Sequence, residues 1–287
     1  NGRIRAFVGE DVDAEILGVA GWQVRAQIAS SYAAGRVFCM GDAVHRHPPT
    51  NGLGLNMSIA DAYNLGWKLA LVLAGRAGAA LLDSYSPERQ PVGAQGVQRA
   101  ITSLQEGAAV EAALGYEPAQ PAEAGWKALG TLYEPGPAGD ERRDALHKAI
   151  ELSNYQFNAH GIELGYRYRS DAIVDDGSPG PIAKTPARDP QLYYQPTTRP
   201  GARVPHARLE QDGVPVSSLD LVDDLGFALL TGVGGEAWVQ AAAEISARAG
   251  VPIRVHVIGG RDGVTDPYGE WASLREVETT GCVLARP

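Results

Sequence analysis

One stretch constrains this chain more than any other: Gly41-Asp42-Ala43-Val44-His45-Arg46-His47-Pro48-Pro49-Thr50-Asn51-Gly52-Leu53-Gly54-Leu55-Asn56. It follows Arg36-Val37-Phe38-Cys39-Met40, a short apolar run between glycines that reads as a buried strand. It leads into a helical pattern from about residue 56 to 74, with Ile59, Ala62, Tyr63, Leu69, Ala70 and Leu73 on one side. Gly75 and Gly78 close that helix, and Ser58 with Asp61 gives a weak capping-box signature near its start. The order strand, glycine- and proline-rich loop, long helix puts a carboxylate at the C-terminal end of a strand, where ligands of α/β sheets bind. Asp42 can accept hydrogen bonds from sugar-like hydroxyls, and Gly41 lets a neighbour approach the backbone. The amides around residues 53–56, with the positive end of the helix dipole, suit an electron-rich or anionic group. Pro48-Pro49 stiffens the loop. The same residues also describe an ordinary strand–turn–helix connection with an aspartate cap.

The rest of the chain divides by rhythm. Residues 79 to about 163 read as mainly helical, broken around Pro87 and Pro91 and again at Glu134-Pro135-Gly136-Pro137. From Asp175 to Pro205 the composition shifts to Pro, Asp, Gly and Thr, the best linker candidate. Beyond it, residues 227–231 read as a strand and residues 236–249 as a helix capped by Gly250. Residues 253–258 then alternate as a second strand, so a parallel βαβ pair is expected. Residues 281–285 read as a further strand. The expected fold class is α/β (α+β), in three parts: residues 1–175, a Pro-rich connector at 176–200, and a small α/β domain at 201–287.

Composition narrows the partners. Thirty-four acidic against 25 basic residues give a net charge of -9, with no Lys/Arg-rich run, which argues against nucleic acid or an anionic membrane. Cys39 and Cys282 are far apart and form no C-x-x-C, so a reducing, cytoplasmic setting is expected. The longest apolar stretch is too short for a bilayer. Asp42, His45 and His47 spell D-x-x-H-x-H, but without helical i, i+4 spacing or a fourth ligand, and no metal is expected. Asp61, Asn64, Trp67 and Lys68 read as packing and interhelical hydrogen bonding, Glu88-Arg89 as a salt-bridged helix corner, and Tyr166, Tyr168 and Arg169 as an ordinary strand.

The pattern G-D-A-x-H-x-x-P-P-x-x-G-x-G-x-N, followed by Asp61-Ala62-Tyr63-Asn64-Leu65-Gly66-Trp67-Lys68-Leu69-Ala70, resembles the ribityl-binding segment of FAD-dependent aromatic hydroxylases of the para-hydroxybenzoate hydroxylase class. Leu82-Asp83-Ser84-Tyr85-x-x-Glu88-Arg89-x-Pro91 looks like that family too. So does the approach from Trp22-Gln23-Val24 to Val37-Phe38. His160-Gly161-x-Glu163-Leu164-Gly165-Tyr166-Arg167-Tyr168 and Thr198-Arg199-Pro200-Gly201-Ala202-Arg203-Val204-Pro205-His206 resemble the phenol and chlorophenol monooxygenase branch, which carries a thioredoxin-like C-terminal domain.

The resemblance implies that Gly41 and Asp42 bind FAD, with Asp42 on a ribityl hydroxyl. It implies that Pro49 lies by the isoalloxazine near the reacting ring, and that the backbone of Gly52, Leu53, Gly54, Leu55 and Asn56 lines the flavin's pyrimidine edge. Trp22, Gln23 and Pro48 are the expected substrate wall. The implied reaction uses NADPH and O2 to hydroxylate a phenolic substrate ortho to its hydroxyl through a flavin C4a-hydroperoxide. Several family features are missing: no G-x-G-x-x-G follows a strand, and the abrupt start and the close at Leu284-Ala285-Arg286-Pro287 read as those of a fragment. The expectation is therefore the C-terminal portion of such an enzyme, inactive without its N-terminal half and forming a homodimer. The alternative is a flavin-free binding or dimerisation module.

Overall fold

The computed structural model describes residues 2–177, 188–222, 226–260 and 263–287. The middle of the expected connector, residues 178–187, lies outside the described residues. The chain begins with a short helix α1 (Gly2–Val8), after which residues 10–26 carry no regular structure and are almost wholly exposed. Two small antiparallel ribbons follow, β1 (Gln27–Ile28) with β4 (His45–Arg46), and β2 (Ala33–Ala34) with β3 (Val37–Phe38). The strand expected at residues 36–40 is thus two residues long, with Val37 exposed and Phe38 half-buried. Among the described residues its backbone pairs with the facing arm of its own hairpin.

Helix α2 (Leu53–Leu73) starts three residues before the expected point. Helix α3 (Tyr85–Leu114) contains both prolines that were expected to interrupt it. Pro87 sits in its first turn, where the missing N–H costs nothing, and Pro91 is carried inside the helix by the packing around it. The break at residues 134–137 is real: α4 (Ala122–Gly130) ends before it and α5 (Pro137–Leu152) starts on its last proline. Two short helices, α6 (Asn154–Phe157) and α7 (His160–Leu164), close this region.

The tail forms one six-stranded sheet in the order β10-β7-β8-β9-β5-β6. Its strands are β5 (Arg208–Gln211), β6 (Val214–Ser217), β7 (Phe227–Gly232), β8 (Ile253–Ile258), β9 (Val264–Thr265) and β10 (Cys282–Ala285). β7 and β8 pair in parallel through α8 (Glu236–Ala249), the βαβ unit read from the alternation, and Gly250 caps α8 in the left-handed conformation. Leu209, Leu221, Leu230, Ile258, Val264 and Trp271 of helix α9 (Glu270–Leu274) form the core of this part.

α2 reverses the usual polarity of a surface helix. Its buried face carries Asp61, Asn64 and Lys68 beside Met57, Leu65 and Leu71. Of the residues expected on one apolar side, Ile59, Ala62, Tyr63, Ala70 and Leu73 face outward, Leu69 is half-buried against the cluster that holds Leu65 and Tyr85, and Leu55 (73% exposed), Ile59 (57%) and Leu73 (82%) stand in solvent. Ion pairs set the orientation: once two charges and an amide are mutually satisfied inside, turning the helix over would leave them all unpaired.

Gly93 and Gly96 let α3 cross close to α2 and the loop. A Cβ on Gly93 would fall 2.0 Å from Tyr32 Oη and 3.1 Å from Ile28 Cδ1. Gly93→Ala is expected to lower stability by about 1–3 kcal/mol through overpacking against the buried Tyr32 ring. That loss exceeds the gain in helix propensity, at most ~1 kcal/mol. Urea denaturation checks it; a net gain in stability would contradict this packing.

Candidate functional site

The loop of residues 41–56 is held by a buried carboxylate the sequence did not single out for that task. Asp61, fully buried in the third turn of α2, accepts hydrogen bonds from the Gly41 N–H (3.1 Å), His45 Nε2 (2.8 Å) and Arg89 Nε (2.7 Å). Gly41 and His45 bracket Asp42, so a single side chain fixes both shoulders of the Asp42 turn. Gly41 must be glycine here: its φ is +61°, and a Cβ would lie 2.9 Å from Ser58 Oγ. Burial would raise the Asp61 pKa, but the His45 and Arg89 hydrogen bonds and the Arg89 charge overcome it, and the group stays below the usual carboxylate range. Ser58 and Asp61 are not a capping box; Ser58 Oγ donates to the Gly54 carbonyl one turn back (2.8 Å).

Two further anchors hold the middle of the loop. Thr50 Oγ1 donates to the Ala100 carbonyl of α3 (2.6 Å), and Asn51 Nδ2 donates to the Tyr155 carbonyl of α6 (2.7 Å). Asn51 and Gly52 both take left-handed φ values, 66° and 62°, and the chain then enters α2 directly. Asparagine tolerates that conformation at little cost. Gly52 supplies no side-chain acceptor to α2, and no acidic residue sits in the first turn. The positive end of a 21-residue helix is therefore left without a side-chain counter-charge.

The candidate residues fall in two groups. Asp42, Pro49, Gly52, Leu55 and Asn56 are exposed around the start of α2, Gly54 is half-buried, and Gly41, Pro48 and Leu53 are buried supports. A cleft of about 410 Å³ opens on the flank of this loop, lined in part by Asn51, Asn56, Met57, Arg89, Tyr166 and Arg203. Trp22 (72% exposed) and Gln23, which accepts a hydrogen bond from Arg25 (3.0 Å), do not line it, and neither does Pro48. The two histidines of the D-x-x-H-x-H string go separate ways: His45 to Asp61, His47 Nδ1 to the Pro48 carbonyl (2.7 Å).

Behind the loop lies a second buried carboxylate. Glu88 takes five donors: Asn64 Nδ2 (2.8 Å), Lys68 Nζ (2.8 Å), Ser170 Oγ (2.6 Å), and both terminal nitrogens of Arg286 (2.8 and 2.6 Å). Burial would raise its pKa, yet the Arg286 fork and Lys68 hold it down at about 2. Lys68 is pushed the other way by burial, to about 8, with Glu88 offsetting only part of the penalty. Arg89, next along α3, also donates to Tyr168 Oη (3.0 Å) and the Met57 carbonyl (3.3 Å). Tyr166 and Tyr168 are not in a strand; their rings lie within 6 Å of the Arg89 guanidinium carbon.

Residues 3–100 match the FAD binding domain family, and residues 197–287 match the family described as aromatic-ring hydroxylase, C-terminal. The chain is 44% identical over 287 residues to a 2,4-dichlorophenol 6-monooxygenase of Cupriavidus pinatubonensis, covering 99% of this chain and 47% of that protein. It is 42% identical over 285 residues to a phenol 2-monooxygenase of a Pseudomonas species, 99% of this chain and 46% of the relative. A crystal structure of the flavin-dependent monooxygenase PieE, in complex with FAD and substrate, superposes with a TM-score of 0.91 at 50% identity. That match covers the whole of this chain and 49% of PieE. The chain spans about half the length of the curated relatives it matches.

Two outcomes follow from the buried carboxylates. Asp61→Ala leaves Arg89 buried without its partner and is expected to cost about 3–5 kcal/mol by chemical denaturation; a loss of a few tenths would contradict the central role of Asp61. Glu88 is depressed from 4.5 to about 2. Its contribution to stability is therefore complete above pH 4.5 and is lost as the pH falls from 4.5 towards 2. Glu88→Gln should flatten the stability–pH curve across that window; an unchanged curve would contradict the assigned ion pairs.

Proposed function

Because residues 3–100 match the FAD binding domain family and residues 197–287 the aromatic-ring hydroxylase C-terminal family, we propose that this chain is the C-terminal portion of an FAD-dependent monooxygenase acting on a phenolic ring. The observation that carries the reading is the loop itself: an exposed carboxylate, Asp42, beside the uncapped positive end of α2, both fixed by buried contacts. This donor and acceptor set fits FAD. Asp42 would accept from a ribityl hydroxyl, and the first-turn amides of α2 would serve the electron-rich edge of the flavin ring.

FAD, when bound, would supply the two-electron chemistry that splits dioxygen, one oxygen atom going to the ring and the other leaving as water, with NADPH as the proposed reductant. The chain's own residues bind and orient. Pro49 stiffens the loop beside the reacting ring, and Gly52, Leu53, Gly54, Leu55 and Asn56 offer backbone rather than side chain to the flavin. The dipole of α2 stabilises negative charge on the flavin edge. The phenolic substrate lies in the cleft beside Asn56 and Met57, where the Arg203 guanidinium favours the phenolate. Trp22, Gln23 and Pro48 stay the proposed substrate wall; among the described residues they do not line this cleft.

The rest of the flavin site belongs to sequence that the relatives carry outside the matched half. The outward stripe of Leu55, Ile59 and Leu73 supports that reading, because an exposed apolar face this long calls for a cover. A second copy of the chain, as a homodimer partner, is part of the same reading. The flavin-free module would use the same stripe, and flavin binding separates the two. Among the described residues no helix is long and apolar enough to cross a membrane.

Asp42→Ala, in the protein carrying the whole flavin site, is expected to weaken FAD binding by about 1.5–3 kcal/mol, the loss of hydrogen bonds to a charged acceptor. That is roughly a tenfold to hundredfold rise in Kd by absorbance titration. Equal flavin occupancy in wild type and variant rejects the role of Asp42.

A further inference from the structure

Arg286 follows the edge strand β10 of the C-terminal sheet, yet its side chain is not spent on that sheet. Its guanidinium leaves the strand, forks onto Glu88 near the start of α3, and lies 5.3 Å from the Trp67 ring centroid and 5.5 Å from that of Tyr168. Phe227, at the start of β7, meets the Trp67 ring edge-on at 6.5 Å, so the two contacts form one joint between the sheet and α2. A fork of this kind fixes the carboxylate's orientation as well as its charge. Arg286 is only 16% exposed and Glu88 is fully buried, so water does not substitute for either.

The joint does not end there. Glu88 and Arg89 are consecutive on α3, and what holds one in place holds the other. Arg89 reaches Asp61, and Asp61 grips Gly41 and His45 on either side of Asp42. A continuous path therefore leads from the C-terminal sheet to the Asp42 turn, made of buried ion pairs and hydrogen bonds joined by the α3 backbone between Glu88 and Arg89. It follows α2 between Lys68 and Met57, roughly 16 Å of helix. We infer that Arg286 is a positioning residue for the flavin loop, acting through Glu88, Arg89 and Asp61. The C-terminal sheet thereby sets how firmly the Asp42 turn is presented to its ligand. This rests on the proposed FAD site.

Thr231→Val gives the comparison a purely structural role requires. Thr231 is buried in β7, and its hydroxyl donates to the Gly281 carbonyl (2.8 Å), so its loss weakens the same sheet without touching the run of ion pairs. The test measures three quantities in wild type, Arg286→Met, Arg286→Lys and Thr231→Val. These are the melting temperature, the FAD dissociation constant of the protein carrying the whole flavin site, and hydrogen exchange at the Gly41 amide. Arg286→Met should raise the FAD Kd roughly fivefold or more and speed Gly41 exchange, a coupling of ordinary size. Thr231→Val should lower the melting temperature and leave both other readouts at wild-type values. Arg286→Lys keeps the charge and drops the fork, and should fall between wild type and methionine; it decides the matter if the methionine variant does not fold. Overturning results are an unchanged Kd and unchanged Gly41 exchange in both Arg286 variants, or losses in Thr231→Val that match those of Arg286→Met. If wild type takes up no FAD, the flavin reading falls, and the coupling is still decided by Gly41 exchange.

Discussion

The Asp61 carboxylate is the interaction on which the rest of this structure depends. It is inside the protein, negatively charged, and satisfied from three directions: a backbone amide, an imidazole and a guanidinium. A buried charge with good partners adds little net stability, but removing one partner is expensive. That asymmetry makes it suited to fixing geometry. It explains why α2 turns its charges inward, why Gly41 must be glycine, and why α3 approaches closely enough to need Gly93 and Gly96.

Glu88, on α3, repeats the arrangement against Asn64 and Lys68, one and two turns further along α2, and faces a different neighbour. Where Asp61 looks towards the loop, Glu88 looks towards the C-terminal sheet through Arg286. The two carboxylates together with Lys68, Arg89 and Arg286 form a charged core between regions whose apolar clusters are separate: Tyr32, Val44, Leu65 and Tyr85 on one side, Leu209, Leu230 and Trp271 on the other. Apolar contact alone would permit sliding between them. Forked and tetrahedral hydrogen-bond geometry does not.

Much of this was legible in the sequence where local chemistry decides the outcome. The βαβ unit of residues 227–258 has its helix at the expected bounds and its strands within a residue of them, because alternation and a Gly250 cap are local signals. The loop's turn–helix order was equally plain from its glycines and prolines, whereas the buried strand expected before it is a two-residue hairpin arm with Val37 exposed. What failed depends on partners distant in sequence. Asp61, Asn64 and Lys68 were legible as interhelical hydrogen-bonding residues and Glu88-Arg89 as a salt-bridged corner, but periodicity cannot say that Lys68 meets Glu88 and Asp61 meets Arg89. Pro87 and Pro91 were read as a break because their tolerance comes from tertiary packing of α3. Thr50 and Asn51 gave no motif at all, since their acceptors are backbone carbonyls on other helices. Trp22 and Gln23, expected by resemblance alone, are exposed and stay a proposal as substrate wall.

The central claim is that the Asp61-organised loop is a flavin-binding surface. Hydrogen exchange mapped along the chain, with and without FAD, tests it most directly in the protein carrying the whole flavin site. Protection is predicted across residues 41–56, strongest at the amides of residues 53–56, with the β7–β8 core unchanged. No protection in that segment, or protection confined to the C-terminal sheet, would contradict it.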